Sequence, residues 1–179
     1  NLHWYKYDWV WLKNNSTGFQ LANKRPLKKH ELISIFYEKQ PIYNPQGLKP
    51  YDRVNKRGSL GNNWVSGTIG KEGEMSTNKY VQKYTNYPTT LLQFQKDGAL
   101  HPTQKPVALC EYLIKTYTNE EDLVLDNCIG SGTTAIASIN TNRKFIGIEL
   151  HDDYYKLAKN RVNQHIIDNN LQDKYDKLA

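Results

Sequence analysis

Leu123-Val-Leu-Asp-Asn-Cys-Ile-Gly-Ser-Gly-Thr-Thr-Ala-Ile-Ala-Ser138, followed after residues 139–144 by Phe145-Ile-Gly-Ile-Glu-Leu150, is the stretch that decides the fold. Leu123 to Leu125 is a short apolar run suited to a buried parallel strand, and Asp126 closes it. Gly130, Ser131 and Gly132 predict a tight turn, and Thr133 to Ile139 a helix of small residues that can lie close to a sheet. Phe145 to Ile148 predicts a second strand, with Glu149 at its carboxyl end. The whole reads as a β-turn-α-β unit.

Each part of that unit has a chemical reading. Glycines remove side chains so that a ligand can approach the backbone, and the turn aims N–H groups from the start of the helix at it. A carboxylate at the tip of the next strand can accept both hydroxyls of a ribose. The unit therefore reads as a nucleoside site, with tight packing of helix on strand as the competing explanation of the glycines. Ala135 stands where the dinucleotide fingerprint has its third glycine, a replacement that fingerprint tolerates. A Gly-Lys-Ser/Thr phosphate loop is absent from the sequence. The pattern leans toward a nucleoside without a pyrophosphate, for which S-adenosylmethionine is the natural candidate.

Composition narrows the setting. The 179 residues predict one domain, with room for an inserted lobe. There are 24 basic against 18 acidic residues, a net positive charge that suits a polyanionic partner without requiring one. Cys110 and Cys128 form neither a disulfide framework nor a CxxC or Cys/His cluster, so a reducing, cytoplasmic setting without structural zinc is expected. No apolar run approaches membrane-spanning length, and the start is not a signal peptide, so no membrane partner is expected. The chain starts at Asn1, inside Trp- and Tyr-rich sequence, which reads as a fragment with its upstream part missing.

Tyr7 to Leu12 predicts a strand with Trp9 and Trp11 on one face and Val10 and Leu12 on the other. Asn14 to Phe19 reads as a loop. Lys24 to Lys29 is a basic loop, and Leu32 to Tyr37 predicts a second strand antiparallel to the first. Lys24, Arg25, Lys28 and Lys29 are candidates for phosphate contact, against the plainer reading of a solvated connection. Gln40 to Asp97 is irregular, with Pro41, Pro45, Pro50 and Pro88, and a second basic cluster of Arg53, Lys56 and Arg57. Trp64, Tyr80, Tyr84 and Tyr87 are spread nearby. Interleaved cations and aromatics can hold phosphates and stack on bases, so this segment is the candidate for target recognition, with a surface insertion as the alternative. Thr89 to Phe94 predicts a strand returning to the core. His101-Pro-Thr-Gln-Lys-Pro106 then leads into a predicted amphipathic helix, Val107 to Tyr117, with Leu109, Cys110, Leu113 and Ile114 on one face. Asp152 to Ile167 predicts a last helix, striped by Tyr154, Ala158, Val162 and Ile166.

Three segments together, His101 to Pro106, Leu125 to Thr134 and Phe145 to Leu150, resemble the cofactor-binding half of DNA amino-methyltransferases. The order of segments is similar to the permuted β group of that family, over nearly the whole chain. The resemblance implies an α/β fold: a Rossmann-like S-adenosylmethionine-dependent methyltransferase sheet, incomplete in this chain, with an irregular target-recognition insertion. It implies that residues 1–39 end the catalytic half as an antiparallel strand pair, 40–97 recognise the target, and 98–179 bind S-adenosylmethionine. Asp126 would shape the cofactor site, and Gly130, Ser131, Gly132 and Thr133 would wrap the methionine part. Glu149 would hold the ribose hydroxyls, with Leu150 or Asp152 flanking the adenine. His101 lies in the same segment as Thr103 and Lys105, which would reach the cofactor carboxylate. Cys128 stands where the family more often has a Phe that packs on the cofactor.

The family's catalytic tetrad, Asp/Asn/Ser-Pro-Pro-Tyr/Phe/Trp, occurs nowhere between Asn1 and Ala179. In the β group it lies upstream of the segment that Tyr7 begins. Its polar first residue and a carbonyl would accept hydrogen bonds from the target amino group, and its aromatic would stack on the flipped base. The expectation is therefore a site-specific DNA methyltransferase of the restriction–modification type. It would methylate adenine N6, with cytosine N4 as the alternative. Double-stranded DNA would be its partner, and an upstream segment or a second chain would complete the sheet. A non-catalytic remnant that only binds S-adenosylmethionine or DNA is the second reading. A nicotinamide-dependent oxidoreductase, resting on the glycine turn alone, is the third.

Overall fold

The computed structural model describes residues 2–51, 82–95, 98 and 104–175. The chain divides into two compact units, Asn1–Gln46 with Thr89–Ala179, and Gly47–Pro88.

The larger unit begins with β1 (Tyr5–Thr17), which pairs antiparallel with β2 (Lys28–Phe36) and parallel with β5 (Leu91–Gln93), so β1 is the centre of a three-stranded sheet. The predicted strands are present, and β1 and β2 are longer than expected. Asn14 to Thr17, read as loop from its turn-forming residues, continues β1 instead, after a register shift between Leu12 and Thr17. A short 3-10 turn over Phe19–Leu21 follows, and Lys28 and Lys29 belong to β2 rather than to the connecting loop.

Strand alternation decides which side of β1 is buried. Trp9 and Trp11 are almost fully buried on one face, and Lys13 continues the same row at 8% exposure. Helix α1 (Val107–Tyr117) packs on that face, and Leu109 joins Trp9, Trp11 and Leu92 in the core. The Trp9 and Tyr112 rings meet edge to face, 5.8 Å apart. Buried indoles need acceptors: Trp9 Nε1 donates to the Tyr117 hydroxyl at 2.7 Å, and Trp11 Nε1 donates to the Phe94 carbonyl at 3.1 Å. Burial, then the hydrogen bond with Tyr7, pushes the Tyr117 hydroxyl well above the ordinary phenol range.

The second half of this unit is the predicted β-turn-α-β element. β6 (Leu123–Asp126) and β7 (Lys144–Gly147) pair in parallel, and α2 (Thr133–Asn140) crosses between them. Helix α3 (Asp152–Asp168) lays Ala158, Val162 and Ile166 inward, as its four-residue stripe predicts. Ala135, Ile136, Ile139, Val162 and Ile166 form the core there. Asp152 and Asp153 fall in the first turn of α3, where the helix dipole favours negative charge.

Two connections are pinned by Arg143, which is 7% exposed. Its guanidinium donates to the carbonyl and hydroxyl of Thr118, at the end of α1, and to the carbonyl of Thr141, at the end of α2. A buried guanidinium facing the carbonyl ends of two helices is both hydrogen-bonded and favourably placed in their dipoles.

One expectation fails in an informative way. Leu123 and Leu125, predicted to be buried, are 58% and 64% exposed, and their neighbour Ile146 across the strand pair is 48% exposed. α2 covers one side of the β6–β7 sheet, while these three residues line the other. On the three-stranded sheet, Leu32 and Phe36 of β2 are likewise exposed.

The smaller unit holds a two-stranded antiparallel pair, β3 (Lys49–Pro50) and β4 (Tyr84–Thr85). Asn86 Nδ2 donates to the Gly47 carbonyl beside it at 2.6 Å. Arg53, Lys56, Arg57, Trp64 and Tyr80 lie outside the described residues. Among the described residues, no helix is long and apolar enough to cross a membrane.

Candidate functional site

The glycine turn between β6 and α2 is built by constraints from three directions. Asp126 uses both carboxylate oxygens within it: Oδ1 accepts from the Cys128 N–H at 3.0 Å, and Oδ2 accepts from the Thr134 hydroxyl at 2.6 Å. Glu149, two residues past β7, reaches back to the turn. Its Oε2 accepts from the Gly130 N–H at 2.8 Å, and its Oε1 accepts from the His151 N–H at 3.0 Å. From α3, Arg161 Nη1 donates to the Ser131 carbonyl at 2.9 Å and lies 3.2 Å from the Thr133 hydroxyl.

Within the turn itself the N–H groups of both glycines are used: Gly130 donates to Glu149, and Gly132 to the Ile129 carbonyl at 3.0 Å. The two glycines also differ in purpose. Gly132 has φ +81°, and a Cβ there would stand 3.2 Å from Val162 and 3.3 Å from Ala158. It serves turn geometry and the close approach of α3 at once. Gly130 also has positive φ, but a Cβ there meets nothing nearer than the Cys128 carbonyl at 3.9 Å. The packing explanation of the motif therefore holds for Gly132, while Gly130 leaves open space beside the backbone.

A cavity of about 230 Å³ opens on the turn. Lys105, Asp126, Cys128, Gly130, Ser131 and Thr133 line it, so six of the candidate cofactor residues meet at one place. Gln104, Cys110, Ile129 and Thr134 complete its wall. The Ser131 hydroxyl lies 3.3 Å from Gln104 Oε1, which ties the turn to the segment before α1. Lys105 lies 3.2 Å from Glu31 Oε2, and the other oxygen of Glu31 accepts from Lys13 at 3.0 Å. Burial pushes the Glu31 carboxyl up, but the hydrogen bonds from Lys13 and Lys105 outweigh it and hold it below the usual carboxylate range.

Other candidates stand apart from this cavity. Leu150 is 98% exposed beyond β7, and Asp152 is exposed at the start of α3. His101 and Thr103 lie outside the described residues. Lys24, Arg25, Lys28 and Lys29 are all exposed, the first two in the turn after Leu21 and the second two on β2.

Sequence reasoning missed Arg161, Gln104, Thr134 and Glu31. Arg161 sits on a helix 30 residues from the serine it holds, and no local signal marks it. Thr134 and Gln104 were visible beside named motif residues. Glu31 became meaningful only through its two lysine partners.

Residues 1–160 match the model of the N6/N4 DNA methylase family. The chain belongs to that family. It is 35% identical over 154 residues to the type II methyltransferase M.HindIII of Haemophilus influenzae, covering 83% of this chain and 44% of that protein. It is 47% identical over 62 residues to the DNA adenine methyltransferase YhdJ of Escherichia coli, covering 35% of this chain and 21% of that protein. Among solved structures it resembles the M1.HpyAVI–SAM complex, with TM-score 0.55 and 29% identity, over 89% of this chain and 62% of that one. The fold is therefore that of the S-adenosylmethionine-dependent DNA methyltransferases, present here as a partial Rossmann-like sheet. This DNA methylase chain spans less than half the length of the curated relatives it matches.

Proposed function

We propose that this chain is the cofactor-binding and DNA-recognition part of a site-specific DNA methyltransferase. Such an enzyme moves a methyl group from S-adenosylmethionine to the exocyclic nitrogen of adenine (N6) in DNA. The observation that carries this reading is the cavity in which Lys105, Asp126, Ser131 and Thr133 converge on an open Gly130 backbone, in a chain that matches a DNA methylase family over residues 1–160.

The residues present suit the cofactor. Lys105 supplies a cation for its carboxylate, and Asp126 an anion for its ammonium group. Glu149, fixed by two backbone N–H groups, keeps a carboxylate beside the turn for the ribose hydroxyls. When bound, the sulfonium supplies the electrophilic methyl, and the protein's task is orientation of the attacking nitrogen in line with it. The tetrad that would orient that nitrogen is not among residues 1–179, so methyl transfer requires another polypeptide segment, upstream or on a second chain. The exposed Leu123, Leu125 and Ile146 on one sheet, and Leu32 and Phe36 on the other, support a further strand-bearing segment against them. Lys24, Arg25, Lys28 and Lys29 suit contact with DNA phosphates whatever the base sequence. The likeness to the DNA adenine methyltransferase YhdJ supports adenine as the target, with cytosine N4 as the alternative.

Calorimetric titration tests the cofactor part. S-adenosylmethionine binding without NAD binding is expected, and NAD binding alone overturns the reading. Nucleoside analysis of DNA methylated by the completed enzyme tests the base: N6-methyladenine is expected, and N4-methylcytosine would reassign the target.

A further inference from the structure

Lys105 is held from outside the cofactor motifs. Glu31, on β2 directly opposite Trp11 of β1, shares its two carboxylate oxygens between two lysines. One is Lys13, whose side chain is 8% exposed in the row that begins with Trp9 and Trp11. The other is Lys105, 44% exposed at the wall of the cavity. The buried Lys13 balances the charge of Glu31, so the pair is close to neutral as seen from the cavity. What it supplies there is a fixed anchor point for a long, rotamer-rich side chain. Lysine side chains carry high conformational entropy, and ordering one at the moment of binding weakens affinity.

We infer that Lys13 and Glu31 form a positioning pair that holds the Lys105 ammonium ready for the carboxylate of the cofactor. This rests on the proposed role of Lys105 at that carboxylate. The antiparallel strand pair, which carries none of the glycine motif, thereby sets the affinity of the cofactor site for the amino-acid end of its ligand. Neither Lys13 nor Glu31 touches the cofactor in this arrangement; each acts through Lys105.

Two ligands separate positioning from general support. S-adenosylhomocysteine carries the amino-acid end, and 5′-methylthioadenosine lacks it while keeping the nucleoside and the sulfur. Calorimetric titration of both is made on the full chain and on three variants, with a thermal melt of each. The charge-balanced pair Lys13→Met with Glu31→Gln removes the anchor without changing the net charge. Glu31→Asp keeps the charges and withdraws the carboxylate by one methylene, which covers the case in which the double variant fails to fold. Both are expected to weaken S-adenosylhomocysteine about three- to tenfold and leave methylthioadenosine unchanged. Lys105→Met is expected to weaken S-adenosylhomocysteine alone, about ten- to a hundredfold. Equal weakening of both ligands by the Lys13 and Glu31 variants, or no change in either, overturns the positioning role. If Lys105→Met leaves the ratio of the two affinities unchanged, the assignment of Lys105 to the carboxylate fails first and takes the positioning role with it.

Discussion

Glu149 Oε2 accepts the Gly130 N–H at 2.8 Å, so the acidic residue after the second strand is fastened to the glycine turn after the first. The motif's two ends are thus one unit: the carboxylate proposed to hold the ribose also sets the turn beside it. Glu149→Ala removes an acceptor from both Gly130 and His151. The expected result is S-adenosylmethionine binding weaker by about 1–3 kcal/mol, since stranded hydroxyls and N–H groups lose their partner. Titration calorimetry checks this, and an unchanged dissociation constant would give Glu149 a structural role only.

Gly132→Ala meets two obstacles together. Its φ of +81° disfavours any Cβ, and that Cβ would press on Val162 and Ala158 of α3. A loss of about 2–4 kcal/mol is expected from left-handed strain and overpacking combined. Denaturant unfolding measures it; a loss under half a kcal/mol would mean that the turn leaves the left-handed region and α3 moves aside as well.

Arg161→Met takes away the donor to the Ser131 carbonyl and the Thr133 hydroxyl while keeping an unbranched stem. Ser131 and Thr133 are buried, so their stranded acceptors are expected to cost about 1–3 kcal/mol of stability. Faster amide exchange across residues 130–134 is the matching local readout.

Tyr117→Phe removes the acceptor of the buried Trp9 indole. A loss of about 1–3 kcal/mol is expected, with Trp9 fluorescence shifted by its lost hydrogen bond. Equal unfolding midpoints for the two proteins would show that Trp9 finds another acceptor.

Acid sensitivity follows from Glu31. Its folded carboxyl titrates below the ordinary 4.5, because the lysine hydrogen bonds outweigh burial. The folded state therefore binds fewer protons than the unfolded one just below that value. Its contribution is complete above pH 4.5 and is lost as pH falls through the lower folded value. Unfolding midpoints measured across that window should fall less steeply in Glu31→Gln than in the parent chain.

How much of this was legible in the sequence depends on distance along the chain. Helices α1, α2 and α3 and the strand-turn-helix core follow from local signals: small residues in α2, a four-residue stripe in α3, Pro106 before α1. Asn14 to Thr17 misled because turn-forming residues were extended by pairing with β2, where Thr17 sits opposite Lys28. Leu123 and Leu125 misled in the other direction. An apolar run signals burial somewhere, and the described residues cover only one side of it. At the site, Lys105, Asp126, Cys128, Gly130, Ser131 and Thr133 were readable from the family resemblance, while Gln104 and Thr134 on the same wall were not. The contacts that hold them, from Arg161, Gln104 and Glu31, join residues 27 to 74 positions apart and leave no local trace.

The uncovered leucines of β6 also govern how this chain behaves in a tube. Its formal charge of +6 keeps copies apart at low ionic strength. Salt shortens the reach of that repulsion to a few ångströms and leaves the apolar sheet faces to meet. Added salt should therefore cloud a solution of the chain by itself. A co-expressed strand that covers Leu123 and Leu125 should keep it clear.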